Sequence, residues 1–133
     1  MSVLVDTSVW SLALRRTNAA HPSQSVLERL ILDGRVAIIG PIRQEILSGV
    51  KVATQFSQLR TQLKAFPDTV LTTEDFEEAA GFFNSCRTRG IQGSNTDFLI
   101  CAVAVRGKMS ILTMDGDFQH YAKVLPITLH QQK

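Results

Sequence analysis

The chain is poor in cysteine and histidine, and each shortage removes a class of explanation. Its two cysteines, Cys86 and Cys101, stand in apolar helical patterns rather than in a paired metal or redox spacing, so buried free thiols are expected. The three histidines, His21, His120 and His130, lie outside every acidic motif described below and offer no general acid–base pair. No apolar run approaches the ~20 residues that span a bilayer. No basic region precedes the first apolar stretch, and Asp6 interrupts that stretch, so no secretory signal is expected and the cytoplasm is the default location. A strong excess of one charge is missing too: a formal net charge of +2 permits nucleic-acid binding without indicating it. Internal repeats, linkers and low-complexity tracts are also absent.

What remains is ordinary globular composition, 44% hydrophobic and 20% charged. A length of 133 residues suits one domain, 1–133, able to bury a core without disulfides or a structural metal. The opening stretch Val3-Leu4-Val5-Asp6-Thr7-Ser8 organises it. Three apolar residues running into an acid and two hydroxyls read as a buried parallel strand whose carboxyl end opens on a functional crevice.

Further along, Trp10 to Arg16 reads as a short helix and Asn18 to Pro22 as a loop. A helix through Asp33 is expected next, with Val26, Leu27, Leu30 and Ile31 on one face and a capping box from Ser25 to Glu28. Val36 to Ile39 reads as a second strand, and Gly40-Pro41 opens a helix that carries Glu45 and stops at Gly49. Ala53, Phe56, Leu59, Leu63 and Phe66 recur at three- and four-residue steps, an amphipathic stripe closed by Pro67.

Thr69 to Thr72 is the expected third strand, followed by a helix from Thr73 to Gly90 with Phe76, Ala79, Ala80 and Phe83 inward. Asn95 to Arg106 is apolar nearly all round and should be the most buried helix. Ser110 to Thr113 and Pro126 to Leu129 complete five strands. Strands alternating with helices imply right-handed crossovers and a parallel sheet, an α/β fold.

The acids fall where the strands end. Asp6 follows strand one, Glu45 lies in the helix after strand two, Asp97 opens a helix, and Asp115 and Asp117 follow strand four. Crossovers return these positions to one edge of the sheet. Taken singly, each has a plain structural account: an Asx turn at Asp6, a solvated helix position at Glu45, a capping role for Asp97 after Ser94, and a turn at Asp115-Gly116-Asp117. Together they place like charges side by side with no basic residue inside the motifs. A divalent cation would relieve that repulsion, and an all-oxygen set suits Mg²⁺ or Mn²⁺ rather than zinc.

Four stretches carry a resemblance. Val5-Asp6-Thr7-Ser8-Val9-Trp10, Glu45-Ile46-Leu47-Ser48-Gly49, and Asp97 ahead of its apolar helix are joined by Thr113-Met114-Asp115-Gly116-Asp117-Phe118. The set resembles the PIN domain, more narrowly the VapC-type toxins of bacterial toxin–antitoxin pairs, and the likeness spans almost the whole chain. The resemblance implies a three-layer α/β/α sandwich around a central five-stranded parallel sheet. It also implies a metal-dependent endoribonuclease in which Asp6, Glu45, Asp97 and Asp115 bind Mg²⁺ or Mn²⁺ and Asp117 assists. Thr7 and Thr113 would orient those carboxylates, and the partners would be RNA, a cognate antitoxin and a second copy of the chain, with no membrane.

Arg43 and Lys51 beside Glu45, and Arg87 and Arg89 ahead of the Asp97 loop, are candidate phosphate contacts. Two other classes stay open. An aspartyl phosphotransfer enzyme would also place an Asp after its first strand, although Ser8 stands where a second Asp would be wanted. A non-catalytic module would keep the acidic pocket only to capture a basic peptide.

Overall fold

Val3, Leu4 and Val5 are each 0% exposed, so β1 (Val3–Val5) is covered on both faces. The computed structural model describes residues 1–14 and 22–131. The loop expected at 18–22 lies outside them up to His21, as does the end of the first helix at Arg16.

After β1 come α1 (Thr7–Leu14), α2 (Pro22–Leu32), β2 (Val36–Ala37) and α3 (Gly40–Leu47). The chain continues through α4 (Ala53–Leu63), α5 (Thr73–Thr88), α6 (Asn95–Arg106), β3 (Ser110–Leu112) and α7 (Asp117–Tyr121). The sheet order is β2-β1-β3, all parallel, with Val3 opposite both Val36 and Ser110, and Val5 opposite Leu112. Because β1 is central, its carboxyl end opens between two neighbours, and Asp6 sits there. Among the described residues no helix is long and apolar enough to cross a membrane.

The five-stranded sheet expected from the sequence is corrected to three. The other two segments survive as single parallel bridges, Ile38 with Asp68 and Ile111 with Leu129. Backbone groups that a longer ladder would use are taken elsewhere. The Arg106 guanidinium donates to the Val70 carbonyl (2.9 Å), and the Thr72 N–H donates to Asp75 (2.9 Å) as α5 begins. On the other edge Pro126 has no N–H to give. One rung therefore forms on each side.

Two helix faces also differ from expectation. α5 buries Asp75, Ala79, Phe82 and Cys86, while Phe76 is 55% exposed. Asp75 is drawn inward by Arg106, which turns the helix so that Phe76 faces out and Phe83 is only half-buried. α2 starts at Pro22, so Ser25 lies inside it rather than at a cap, and its buried set is Ser23, Val26, Leu27 and Leu30, without Ile31. α4 ends at Leu63, short of Phe66, and Ala53 is exposed at its start. α6 matches its sequence: every residue from Phe98 to Ala104 is buried. Cys86 and Cys101 are free thiols at 0% exposure, and burial pushes both up from the ordinary thiol range.

Candidate metal centre

Asp6 ends the central strand, and its backbone N–H still pairs with the Leu112 carbonyl (2.9 Å), which keeps the ends of β1 and β3 in step. Thr113, the first residue beyond β3, therefore lies beside it. The Thr113 hydroxyl donates to Asp6 Oδ2 (2.8 Å), and the Ser8 hydroxyl donates to the same oxygen (2.8 Å). Each hydroxyl in turn accepts a backbone N–H from the next loop, Ser8 from Met114 (3.0 Å) and Thr113 from Asp115 (3.0 Å). Asp115 Oδ1 then accepts the N–H of Asp117 (2.9 Å). A continuous relay thus ties the Asp115 loop to Asp6, a carboxylate only 7% exposed.

Asp97 arrives from the amino end of α6. Ser94 caps the helix by accepting the Asp97 N–H (3.0 Å), and the Asp97 carboxylate accepts the Tyr121 hydroxyl at Oδ2 (2.6 Å). Burial holds the Asp97 carboxyl above the usual carboxylate range. The Tyr121 bond opposes that shift, and the charges of Asp6 and Asp115 add to it.

Asp6, Glu45, Asp97 and Asp115 line one cleft of about 450 Å³, with Thr7, Ser8, Ser11, Leu12 and Met114. Glu45 is exposed on its α3 wall. A tighter grouping overlaps it: Asp97, Asp115 and Asp117 each offer a carboxylate oxygen, all within 4.8 Å of one another. The ion pairs found among the described residues, Arg43 with Asp68 and Arg106 with Asp75, involve none of these acids. An all-carboxylate set with no neutralising cation among the described residues fits a hard divalent ion such as Mg²⁺ or Mn²⁺.

Several sequence expectations change here. The Thr7 hydroxyl is buried with no hydrogen-bond partner among the described residues, and Ser8 makes the bond to Asp6 expected of it. Arg43 does not rim the cleft: its guanidinium donates to Asp68 (3.0 Å), to the Leu63 carbonyl (3.0 Å) and to the Phe66 carbonyl. Those bonds hold the end of α4 against α3. Lys51, Arg87 and Arg89 are exposed and do not line the cleft, and Arg87 stands over the Phe83 ring, 5.6 Å from its centroid.

His120 is exposed, and His130 packs near Ser110 (3.3 Å), where burial and Arg35 lower its pKa. Neither lines the acidic cleft. Sequence reasoning passed over Ser8 and Tyr121. Ser8 was findable as a hydroxyl two residues beyond Asp6, a spacing suited to local side-chain hydrogen bonding. Nothing local marks Tyr121.

Comparison with known proteins bears on the family and the fold. Residues 3–124 match the PIN domain family. The chain is 32% identical over 126 residues, 92% of each chain, to "Ribonuclease VapC11" of Mycobacterium tuberculosis and equally to "VapC ribonuclease Mb1587" of Mycobacterium bovis. Among solved structures it superposes on the VapBC2 complex of Rickettsia felis bound to a promoter DNA fragment, with a TM-score of 0.79, 17% identity and 98% of each chain covered. The FitAcB structure of Neisseria gonorrhoeae superposes similarly (TM-score 0.78, 18% identity, covering 98% of this chain and 97% of that one). At such identities these two superpositions speak for the fold alone.

Proposed function

Because the chain belongs to the PIN-domain family and, within it, to the VapC ribonucleases, we propose that it is a Mg²⁺- or Mn²⁺-dependent endoribonuclease, the toxin of a toxin–antitoxin pair. The observation that carries the reading is the meeting of Asp6, Glu45, Asp97 and Asp115 in one cleft that no described lysine or arginine neutralises. Asp97, Asp115 and Asp117, with Asp6 and Glu45 beside them, would hold the ion. When bound there, such an ion polarises a scissile phosphate and makes water a stronger nucleophile.

The chain's own part is to fix the carboxylates. Ser8 and Thr113 hold Asp6 by one oxygen, and the Asp115 loop is pinned to both hydroxyls through its backbone. A set of ligands locked before the ion arrives loses little freedom on binding it. Lys51, Arg87 and Arg89 belong to the proposal as phosphate contacts outside the cleft, where they would position RNA without reading its sequence. Arg43 does not, since its donors are already engaged. The reading includes a cognate antitoxin, assembly as a homodimer, residence in the cytoplasm, and a single nuclease domain arranged as three layers.

The purified protein should cleave single-stranded RNA in Mg²⁺ or Mn²⁺, stop in EDTA, and fall to background as Asp6→Asn, read on a gel of end-labelled oligonucleotides. Cleavage that persists in EDTA or in Asp6→Asn overturns the assignment. Folded protein that never cleaves but captures a basic peptide would favour the binding module instead.

A further inference from the structure

The fixed carboxylate at Asp6 has a counterpart at Asp97, held by Tyr121, a residue that no acidic motif contains. The Tyr121 ring is 0% exposed and wedged between Phe98 (centroids 4.9 Å apart) and Phe118 (5.1 Å). Phe98 packs edge-on to Phe83 in turn (5.6 Å). A ring held on these sides cannot swing, so its hydroxyl has one direction, and that direction ends on Asp97 Oδ2 (2.6 Å).

The loop before α6 closes the remaining side. A Cβ at position 93 would lie 2.8 Å from Tyr121 Cζ and 3.0 Å from Phe98 Cε2, and closer still to the tyrosine hydroxyl. The backbone at Gly93 is not in the left-handed region, so conformational freedom does not explain the glycine there. Close approach does: only a residue without a side chain lets the loop seat directly on the Tyr121 hydroxyl.

We propose that Tyr121 is a positioning residue for the metal centre, orienting the Asp97 carboxylate, and that Gly93 serves it by leaving room for the hydroxyl. The inference rests on the metal-dependent reading above. One oxygen of Asp97 is tied to a rigid donor, so the plane of the carboxylate is set before an ion binds. Asp97 is also one of the three acids whose oxygens lie within 4.8 Å of one another, which makes its orientation decisive for how many of them a single ion can reach. Outer hydrogen bonds of this kind are worth about 10- to 100-fold in metal affinity.

The test is Mn²⁺ binding to the full chain by calorimetric titration, with RNA cleavage against Mg²⁺ concentration as a second readout. Tyr121→Phe keeps the ring and removes the donor. It should weaken Mn²⁺ about tenfold, raise the Mg²⁺ concentration needed for half-maximal cleavage by a similar factor, and leave kcat at saturating Mg²⁺ close to that of the parent. The thermal midpoint without metal should stay near that of the parent, which separates positioning from support of the fold.

Gly93→Ala, which displaces the hydroxyl without deleting it, should weaken binding in the same direction. The double variant should be no weaker than Gly93→Ala alone, because both changes act through one hydrogen bond. Parental Mn²⁺ affinity in Tyr121→Phe overturns the proposal, as does full additivity of the two substitutions. A parent chain that binds no Mn²⁺ at all overturns the metal-dependent reading and this inference with it.

Discussion

Two helices of this molecule begin with the same short pattern and put it to opposite uses. α5 starts Thr72-Thr73-Glu74-Asp75, and α6 starts Ser94-Asn95-Thr96-Asp97: a hydroxyl cap with an aspartate three residues on. In α5 the box closes in both directions, Thr72 accepting the Asp75 N–H and Asp75 accepting the Thr72 N–H. Asp75 also takes two bonds from Arg106 (2.6 and 2.9 Å), and the guanidinium holds its carboxyl below the usual carboxylate range. In α6 only the first half forms. Asp97 turns away from its cap to Tyr121 and faces Asp6 and Asp115, which with burial raise its pKa. A capping aspartate answered by a cation is structural. One left among other acids is a candidate for chemistry.

Removing each charge should break the comparison most visibly in stability. Asp75→Asn strands Arg106 and loses the charged part of the cap. Because the Arg106 side chain is 42% exposed and can turn to water, no charge is left buried, and the loss is that of the charge-assisted hydrogen bonds and part of the cap, about 3 kcal/mol of unfolding free energy. Asp97→Asn removes a repelled charge, so the metal-free protein should be as stable as the parent or more so. Urea denaturation in EDTA measures both. A clear loss in Asp97→Asn would return that residue to the capping role the sequence also allowed.

That ambiguity shows how far the sequence was readable. The β1 strand, the buried α6 helix and the gathering of acids at strand ends were legible because each follows from local pattern plus the right-handed crossover rule. What was not legible depended on partners far along the chain. Asp75 looks like an ordinary acidic first-turn residue until Arg106, 31 positions later, draws it inward and rotates the buried face of α5 away from Phe76. Arg43 looks like a free cation beside Glu45 until the end of α4 folds back on its guanidinium. Tyr121 reaches back 24 positions to Asp97, and no periodicity encodes that. The edge strands were misread for a similar reason, since Thr69 to Thr72 has β-prone residues but its backbone groups are taken by Arg106 and the α5 cap.

Metal sharpens the same contrast with a slightly smaller effect. An ion that binds only the assembled cleft stabilises the fold by about 2.7 kcal/mol at a hundredfold excess over its dissociation constant. The parent and Asp75→Asn should both show that gain on Mg²⁺ titration, the latter from a lower starting point. Asp97→Asn should show little of it. A thermal midpoint that stays constant in the parent up to saturating Mg²⁺ would count against the metal site, and a full gain in Asp97→Asn would remove that residue from it.

The smallest effect is one of sign, and it is the most direct comparison of the two acids. Asp75 has its folded pKa below the ordinary aspartate value of 3.8, so it contributes stability above that value and loses it as pH falls through the lowered one. Asp97 has its folded pKa above 3.8, so the native state keeps a proton that the unfolded chain has already released. Stability from this group therefore declines as pH rises from 3.8 through the raised value. Thermal midpoints followed in EDTA across the acid range should separate the two slopes. Asp75→Asn should flatten the loss on the acid side of 3.8, and Asp97→Asn should flatten the decline on the other side. Matching slopes in the two variants would mean that the aspartates share one environment, contrary to the separation of roles drawn from Arg106 and Tyr121.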